Sequence, residues 1–352
     1  MTQNRFHPGV PSSRPKAKPE WRDPRIFSSA VIPGGARNLR ISLLLALALL
    51  PAATRAQQPT GQSIYTLTQQ LLAVAPKRFN GSPGHLAAET FIKDHFKPEA
   101  AKGNLLTDEF TANTPAGPQV MRNYIVRFPG KALRPEQKDG IIVLATHYET
   151  NYPLKDIAFV GANDGACTTA LLIALGEYFR AHPPEGYAVW LLFDDGEEAI
   201  ANPPNSPTQW SASNYHYGTR HLAAQWYTDG TLKRIKALLV ADMIGDKDLN
   251  IDRDENSTPW LLTLLAQAAK NTGHSASVFK NPTAVEDDHL PFKQRGVPVL
   301  DIIDLDYGPP TRDHPEGGYH HTPLDTIDKL SPHSLQISAD LFLEMVRLIN
   351  QH

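Results

Sequence analysis

Continuous apolar runs rich in β-branched residues are the feature that most limits how this chain can fold. GIIVLAT, YAVWLLF, IKALLVA and VPVLDII read as strands covered on both faces, and NYIVRF reads as a further strand. Segments with helical periodicity lie between them, among them ACTTALLIALGEYFRAH, GTRHLAAQW and PWLLTLLAQAAKNTG. This alternation predicts an α/β protein: a three-layer α/β/α sandwich with a central mixed, mostly parallel sheet.

Further helices are predicted before the first strand and at the C-terminus. SIYTLTQQLLAVAPKRF and GHLAAETFIKDHF are predicted to be helices that precede the strands. The closing segment SPHSLQISADLFLEMVRLINQ is predicted to be a helix that Ser331 caps, and the PWLLTLLAQAAKNTG helix is expected to end at Gly273.

Composition excludes several classes of function. Among the 352 residues, 41% are hydrophobic and 20% are charged, which suits a globular protein with a sizeable core. The formal net charge of −3 gives no basic field, so nucleic-acid binding is not expected. Cys167 is the only cysteine, which excludes an intrachain disulfide and a thiolate metal cluster. We interpret Cys167 as a small core residue, with a catalytic thiol as the alternative.

Polar residues follow the predicted strands directly. His147 follows IIVLAT, the acidic DDGEE stretch follows VWLLF, and Asp242 follows ALLVA, whereas Asp164 lies in the loop FVGANDGA. Open α/β sheets place ligand sites at the carboxyl ends of strands, so these side chains should converge in one crevice. His321 could fold back to the same edge. Asp, Glu and His without Cys form a ligand set that suits catalytic zinc.

An ordered series of motifs resembles a known family. GANDGA, FDDGEEA, YGTRHLA, ADMIGD, EDDHLPF, RGVPVL and HHTPLDT, together with His147, resemble the zinc aminopeptidase superfamily, peptidase family M28. Within it, the sequence is most similar to the glutaminyl-peptide cyclotransferases, or glutaminyl cyclases, from about Leu71 to the end of the chain. The resemblance implies an enzyme that converts the N-terminal glutamine of peptides or proteins to pyroglutamate and releases ammonia.

The resemblance also implies a role for particular residues. Asp164, Glu198 and His321 match the ligands of a single zinc ion. Glu197 matches the general acid/base, and Asp242 and Asp287 match two acids around the reacting amine, so all three are predicted to be catalytic. One Zn²⁺ per chain and a monomeric enzyme are what the family implies.

Glu197 could serve as both acid and base. The attacking amine must lose a proton and the departing nitrogen must gain one, and one carboxylate can do both if its pKa is raised toward neutrality. Repulsion from Asp242 and Asp287 is expected to raise the pKa of Glu197.

Several assignments remain open. Asp288 competes with Asp287, and His147 could be structural or, with Asp242, could hold a second metal. Asp194 and Asp195 are interpreted as solvated or capping and as structural, respectively. His216 and His221 are interpreted as surface or structural residues, and Asp325 as a partner of His321.

The chain also departs from the animal cyclases. Pro203 and His320 stand near the positions where those enzymes carry tryptophans that line the pocket. Trp210 or Tyr319 could compensate for the missing rings. A histidine of the animal enzymes is replaced here by Asp301.

Two other functions are compatible with the motifs. A di-zinc M28 aminopeptidase would use His147, Asp164, Glu198, Asp242 and His321 as ligands. An inactive M28-like binding domain is the second, but it would have no reason to retain Glu197 beside a metal.

The N-terminal segment differs from the rest of the chain. Arg37 and Arg40 precede an apolar run from Ile41 to Leu50, and small residues then lead to Ala56. This order is typical of a secretory signal, and the run is short for a membrane span. We predict an extension with a signal peptide at 1–56, a single catalytic domain at 57–352, and a periplasmic or secreted enzyme without stable membrane insertion after cleavage. An uncleaved anchor is the alternative.

Overall fold

A mixed six-stranded sheet forms the centre of the protein in the computed structural model, which describes residues 58–200, 214–312 and 317–352. The strand order is β1-β2-β4-β3-β5-β8, with β6 and β7 paired in a small second sheet. Strands β4, β3, β5 and β8 are parallel neighbours, whereas β2 is antiparallel to both β1 and β4. The bounds are β1 Leu105–Thr114, β2 Gly117–Phe128, β3 Ile141–His147, β4 Ala188–Asp194, β5 Ile235–Asp242, β6 Ile251–Asp254, β7 Val278–Thr283 and β8 Val299–Ile303.

The helices connect the parallel strands and cover the sheet. Their bounds are α1 Gly61–Val74, α2 Pro83–His95, α3 Lys97–Ala100, α4 Cys167–Ala181, α5 Tyr217–Asp229, α6 Pro259–Thr272, α7 Leu290–Lys293 and α8 Pro332–Ile349. Every helix and strand predicted from the sequence is present. Strands β1, β6 and β7 were not predicted, and β2 begins earlier than the predicted strand.

Alternate residues of each strand enter different cores, which explains the three layers. Ile142 and Leu144 of β3 belong to a large core shared with helices α1, α2, α4, α6 and α8. Ile141 and Val143 face the other way, into a core with helices α5 and α7. A strand buried on both faces must be apolar at every position, as β3 is. The predicted three-layer sandwich is confirmed.

Local signals begin one helix and end another where the sequence predicts. The Ser331 hydroxyl accepts hydrogen bonds from the backbone N–H groups of His333 and Ser334 at the start of α8. Gly273 follows α6 with φ 82°, the left-handed conformation that glycine adopts without strain.

The described residues belong to one compact unit that spans Thr54–His352. Within them, the structure has no helix with the length and apolarity needed to cross a bilayer. The predicted signal peptide, Pro203 and Trp210 lie outside the described residues, and the domain boundary at 56/57 stays a prediction.

Candidate metal centre

Three parallel strands end in polar residues at one edge of the sheet. His147 is the last residue of β3, Asp194 of β4 and Asp242 of β5. Because these strands are parallel neighbours, their carboxyl ends lie side by side. Glu197 and Glu198 follow β4 through a turn at Gly196, whose φ of 78° is in the left-handed region.

Asp164 reaches this edge because the chain breaks sharply before α4. Asp164 has φ −83° and ψ 94°, and Gly165 has φ 87°. A Cβ at position 165 would lie 2.9 Å from both the carbonyl oxygen of Glu149 and Cε1 of His147. Glycine is therefore required there both for the backbone angle and for space.

A buried arginine that sequence reasoning missed binds the same loop. Arg78 is fully buried between α1 and α2. Its guanidinium donates hydrogen bonds to the carbonyl oxygens of Tyr148 (2.8 Å), Val160 (2.8 Å) and Gly161 (2.9 Å), with longer bonds to those of Ala75 and Asp164 (both 3.3 Å). The five N–H groups of a guanidinium suit such a set of converging carbonyl oxygens.

Asp325 fastens the loop from the other side. Its carboxylate accepts hydrogen bonds from the backbone N–H groups of Asn163 (2.8 Å) and Asp164 (3.2 Å) and from the Tyr307 hydroxyl (2.7 Å). Asp325 therefore positions Asp164, and its interpretation as a partner of His321 stays a prediction.

Asp164, Glu198 and His321 come together as the sequence predicts. His321 Nε2 lies 3.3 Å from Asp164 Oδ2 and 3.2 Å from Glu198 Oε1. His321 has φ 54°, a costly conformation for a residue with a side chain, which places its ring against the two carboxylates. The other Glu198 oxygen accepts a hydrogen bond of 2.6 Å from the Asn151 amide.

His147 and Asp242 lie on the opposite side of Asp164. His147 Nε2 is 3.2 Å from Asp164 Oδ1 and 3.4 Å from Asp242 Oδ1. His147, Asp164 and Asp242 thus form a second set of donors that shares Asp164 with the first.

The spacing of these atoms fits a zinc ion. Ligands at about 2.0–2.1 Å from a tetrahedral ion are separated from one another by about 3.3 Å. The nitrogen–oxygen distances of 3.2 to 3.4 Å around Asp164 match this separation and exceed a normal charge-assisted hydrogen bond. Asp164 Oδ2 is buried and has no hydrogen-bond partner in the described part of the chain. The residues present therefore suit zinc.

The electrostatics of the centre also favour a cation. Burial opposes ionisation of Asp164, but the neighbouring imidazoles of His147 and His321 hold its pKa well below the ordinary value. Burial lowers the pKa of His321, yet the carboxylates of Glu198 and Asp164 outweigh it and raise that pKa well above 6.5. The site thus attracts positive charge, which a metal ion can supply in place of protons.

Glu197 lies beside this centre, with a carboxylate oxygen within 4.8 Å of ligand atoms of His147 and Glu149. Burial raises the pKa of Glu197 well above its ordinary value, and the carboxylates of Glu198, Asp287 and Asp288 contribute further. Burial, Asp242 and Asp288 similarly raise the pKa of Asp287 well above 3.8. The pKa of Glu197 is raised as predicted, but burial is the first cause and Glu198 the largest like charge; of the two carboxylates predicted to raise it, Asp287 contributes.

The structure corrects the interpretation of Asp194 and leaves the structural alternative for His216. Asp194 is fully buried, so it is not solvated; burial and the neighbouring carboxylate of Asp288 raise its pKa well above 3.8. His216 is buried rather than on the surface, and its Nε2 lies 3.4 Å from Glu197 Oε1.

The interpretation of Asp195 as structural is confirmed, because its carboxylate accepts hydrogen bonds from the Arg122 backbone N–H (2.8 Å) and contacts His85 Nε2 (2.9 Å).

Comparisons with known proteins agree with the geometry. Residues 123–346 match the sequence profile of Peptidase family M28. The chain is 29% identical over 269 residues to the glutaminyl-peptide cyclotransferase-like protein of Bos taurus, covering 68% of this chain and 64% of that protein. It thus spans just under two thirds of that relative's length.

Among solved structures, the chain is similar to an Acidobacteriales bacterium glutaminyl cyclase, with 69% identity, a TM-score of 0.79 and coverage of 86% of this chain and 98% of the other. A Zn-dependent exopeptidase from Parabacteroides distasonis is 20% identical to this chain, with a TM-score of 0.69. The match covers 82% of this chain and 99% of the exopeptidase chain, so the two proteins share the fold.

Proposed function

The chain belongs to peptidase family M28, and on that premise we propose that it is a glutaminyl-peptide cyclotransferase that converts N-terminal glutamine of peptides or proteins to pyroglutamate. The observation that carries the proposal is the 69% identity to a glutaminyl cyclase over 86% of this chain. Glu197, a buried carboxylate with a raised pKa beside a three-ligand centre, supports the same reaction.

Asp164, Glu198 and His321 are the residues that would hold one zinc ion per chain. Their mutual distances of 3.2 to 3.3 Å around the His321 ring support this assignment. Zinc bound by three protein ligands keeps an open position, where it would polarise the side-chain carbonyl of the substrate glutamine.

Glu197 would move the proton that the reaction requires. The substrate α-amine forms a bond to the side-chain carbonyl carbon and loses a proton to Glu197. The bond from that carbon to the amide nitrogen then breaks, and Glu197 returns the proton so that ammonia leaves. Asp242 and Asp287 would orient the amine, since Asp287 offers a ligand atom within 4.8 Å of one from Glu197 and the Asp242 carboxylate is close enough to raise the pKa of Asp287.

A paired assay on one preparation of known metal content tests the function. A peptide that begins with Gln is expected to yield ammonia and pyroglutamate, and a peptide that begins with Leu is expected to yield no free leucine. A chelator should abolish ammonia release and zinc should restore it. Leucine release without ammonia would replace the proposal with an aminopeptidase, and no reaction with either peptide would favour an inactive binding domain.

The di-zinc aminopeptidase is retained as the second candidate because of one observation. His147 Nε2 lies 3.2 Å from Asp164 and 3.4 Å from Asp242, so a second pair of donors is in place beside the first. If the protein is the peptidase, replacing His147 should abolish both the tight binding of a second zinc ion and the release of leucine. For the cyclase, only one tightly bound zinc is expected.

Export and monomeric state complete the proposal. The order of basic, apolar and small residues before position 57 supports secretion and cleavage after Ala56. Sequencing the N-terminus of the mature protein tests this; an intact N-terminus in the membrane fraction would instead identify an anchor. Light scattering on the purified protein tests the monomer.

A further inference from the structure

A second group of side chains of the types that bind metals lies next to the Asp164 centre and shares no residue with it. Glu197, His216 and Asp287 each offer one ligand atom, and these three atoms lie within 4.8 Å of one another. The three residues are 8%, 3% and 3% exposed. A histidine and two carboxylates are a common donor set for zinc.

The backbone holds His216 over Glu197. The His216 N–H donates to the Glu197 carbonyl (2.9 Å), and the Tyr217 N–H donates to the Gly196 carbonyl (2.6 Å). His216 has φ 53° and ψ 36°, a left-handed conformation that is unfavourable for a residue with a side chain. The fold maintains this strain, and the result is an imidazole fixed against the proposed acid/base.

Two atoms of the group lack partners. His216 Nε2 and Asp287 Oδ2 are buried, and neither has a hydrogen-bond partner in the ranges that the structure describes. Buried polar atoms without partners are costly, so both atoms are available to a ligand. The distance of 3.4 Å between His216 Nε2 and Glu197 Oε1 is close to the separation of about 3.3 Å between ligands of tetrahedral zinc.

We propose that Glu197, His216 and Asp287 form a second divalent-cation site and that zinc bound there inhibits the enzyme. The inhibition rests on the proposed function, because a zinc ion on Glu197 removes the group that accepts the proton from the amine. Binding itself does not rest on it. This site also differs from the His147/Asp242 pair, which shares Asp164 with the first centre.

Zinc binding to the full chain tests the site without an activity assay. Equilibrium dialysis against increasing zinc should show one tightly bound ion and a second, weaker ion in the wild type. The His216→Asn variant, whose residue tolerates a positive φ, should keep the first ion and show at least a tenfold rise in the Kd of the second. If His216→Asn does not fold, as judged by circular dichroism, Asp287→Asn serves for the same binding measurement.

Two histidine variants are the matched controls. His221 lies in α5 near Asp108 with a side chain 36% exposed, and His221→Asn should bind the second zinc as the wild type does. His147→Asn should also retain the second zinc. Loss of the second ion in His147→Asn with retention in His216→Asn would overturn the proposal, as would a wild type that binds a single ion at every zinc concentration.

Inhibition is measured separately, relative to the rate of each protein with one zinc bound. Ammonia release by the wild type should fall as zinc rises, and the concentration for half inhibition should be at least tenfold higher in His216→Asn. Equal inhibition of both proteins would overturn the inhibitory role. Absence of ammonia release at every zinc concentration would contradict the proposed function, while the dialysis result would still decide whether the site exists.

Discussion

At the scale of the residue, Glu197 is the side chain on which the proposed chemistry depends most. Replacing it with Gln preserves its size but removes the proton acceptor, so kcat should fall about 10²- to 10⁴-fold. KM for a Gln-initiated peptide should change little, and the variant should retain its first zinc because Asp164, Glu198 and His321 are intact. Steady-state kinetics with metal analysis checks this prediction. Full activity in Glu197→Gln would exclude the mechanism.

Asp304 gives a second prediction at the same scale, for pH. Burial, with the nearby carboxylates of Asp246 and Asp252, raises the pKa of Asp304 from 3.8 to about 8. Between these values the folded protein keeps a proton that the unfolded chain has lost, so this group's stabilisation is lost as pH rises toward 8. Asp304→Asn keeps an acceptor for the Asn250 N–H, which bonds Asp304 at 2.7 Å.

The measurement for Asp304 is the melting temperature of both proteins from pH 5 to pH 8. The variant should gain stability relative to the wild type as pH rises. Asp156→Asn is the control, because the Asp156 side chain is 68% exposed and its replacement should leave the wild-type pH dependence unchanged. Parallel curves for the wild type and Asp304→Asn would contradict the prediction.

At the scale of the element, the loop that precedes α4 depends on Arg78. Replacing Arg78 with Met leaves the carbonyl oxygens of Val160 and Gly161 without this donor, which should cost about 3 kcal/mol or more of unfolding free energy. Because the same loop carries Asp164, zinc affinity should also fall. Urea unfolding and competition with a chelator measure the two effects.

Arg134→Met is the control for Arg78. The Arg134 guanidinium is 42% exposed and donates to the Asn350 carbonyl, far along the chain from the ligands. This change should alter stability by less than about 1 kcal/mol and leave zinc affinity unchanged. If Arg78→Met bound zinc as tightly as the wild type, Arg78 would serve stability alone.

At the scale of the whole molecule, the proposed zinc ligands come from distant parts of the chain. Asp164 follows β3, Glu198 follows β4 and His321 precedes α8, so only the folded protein brings them together. Zinc should therefore stabilise the fold by mass action, by about 4 kcal/mol at a thousandfold excess over Kd, which raises the melting temperature by several degrees.

Scanning calorimetry with a chelator and then with buffered zinc checks this stabilisation. Glu198→Gln should show a much smaller rise because it lacks one proposed ligand. A wild type whose melting temperature is the same with chelator and with zinc would contradict a zinc site built from these three residues.

The sequence by itself determined the layers, most elements and the group of residues at the sheet edge. Apolar runs such as β3 must be buried on both faces, and polar residues directly after parallel strands must meet at one edge. Strand β1 was missed because it lies at the edge of the sheet and has only one buried residue, so it has little apolar signal.

Only the tertiary structure decided which other residues join the site. Arg78 reaches the site through long-range hydrogen bonds, and His216 reaches it through a left-handed backbone conformation. Neither feature leaves a periodic pattern in the chain. The burial of Asp194 likewise depends on the sheet order, which places β4 between β2 and β3. Local patterns report which residues are buried, whereas partners of buried polar groups depend on how distant segments pack.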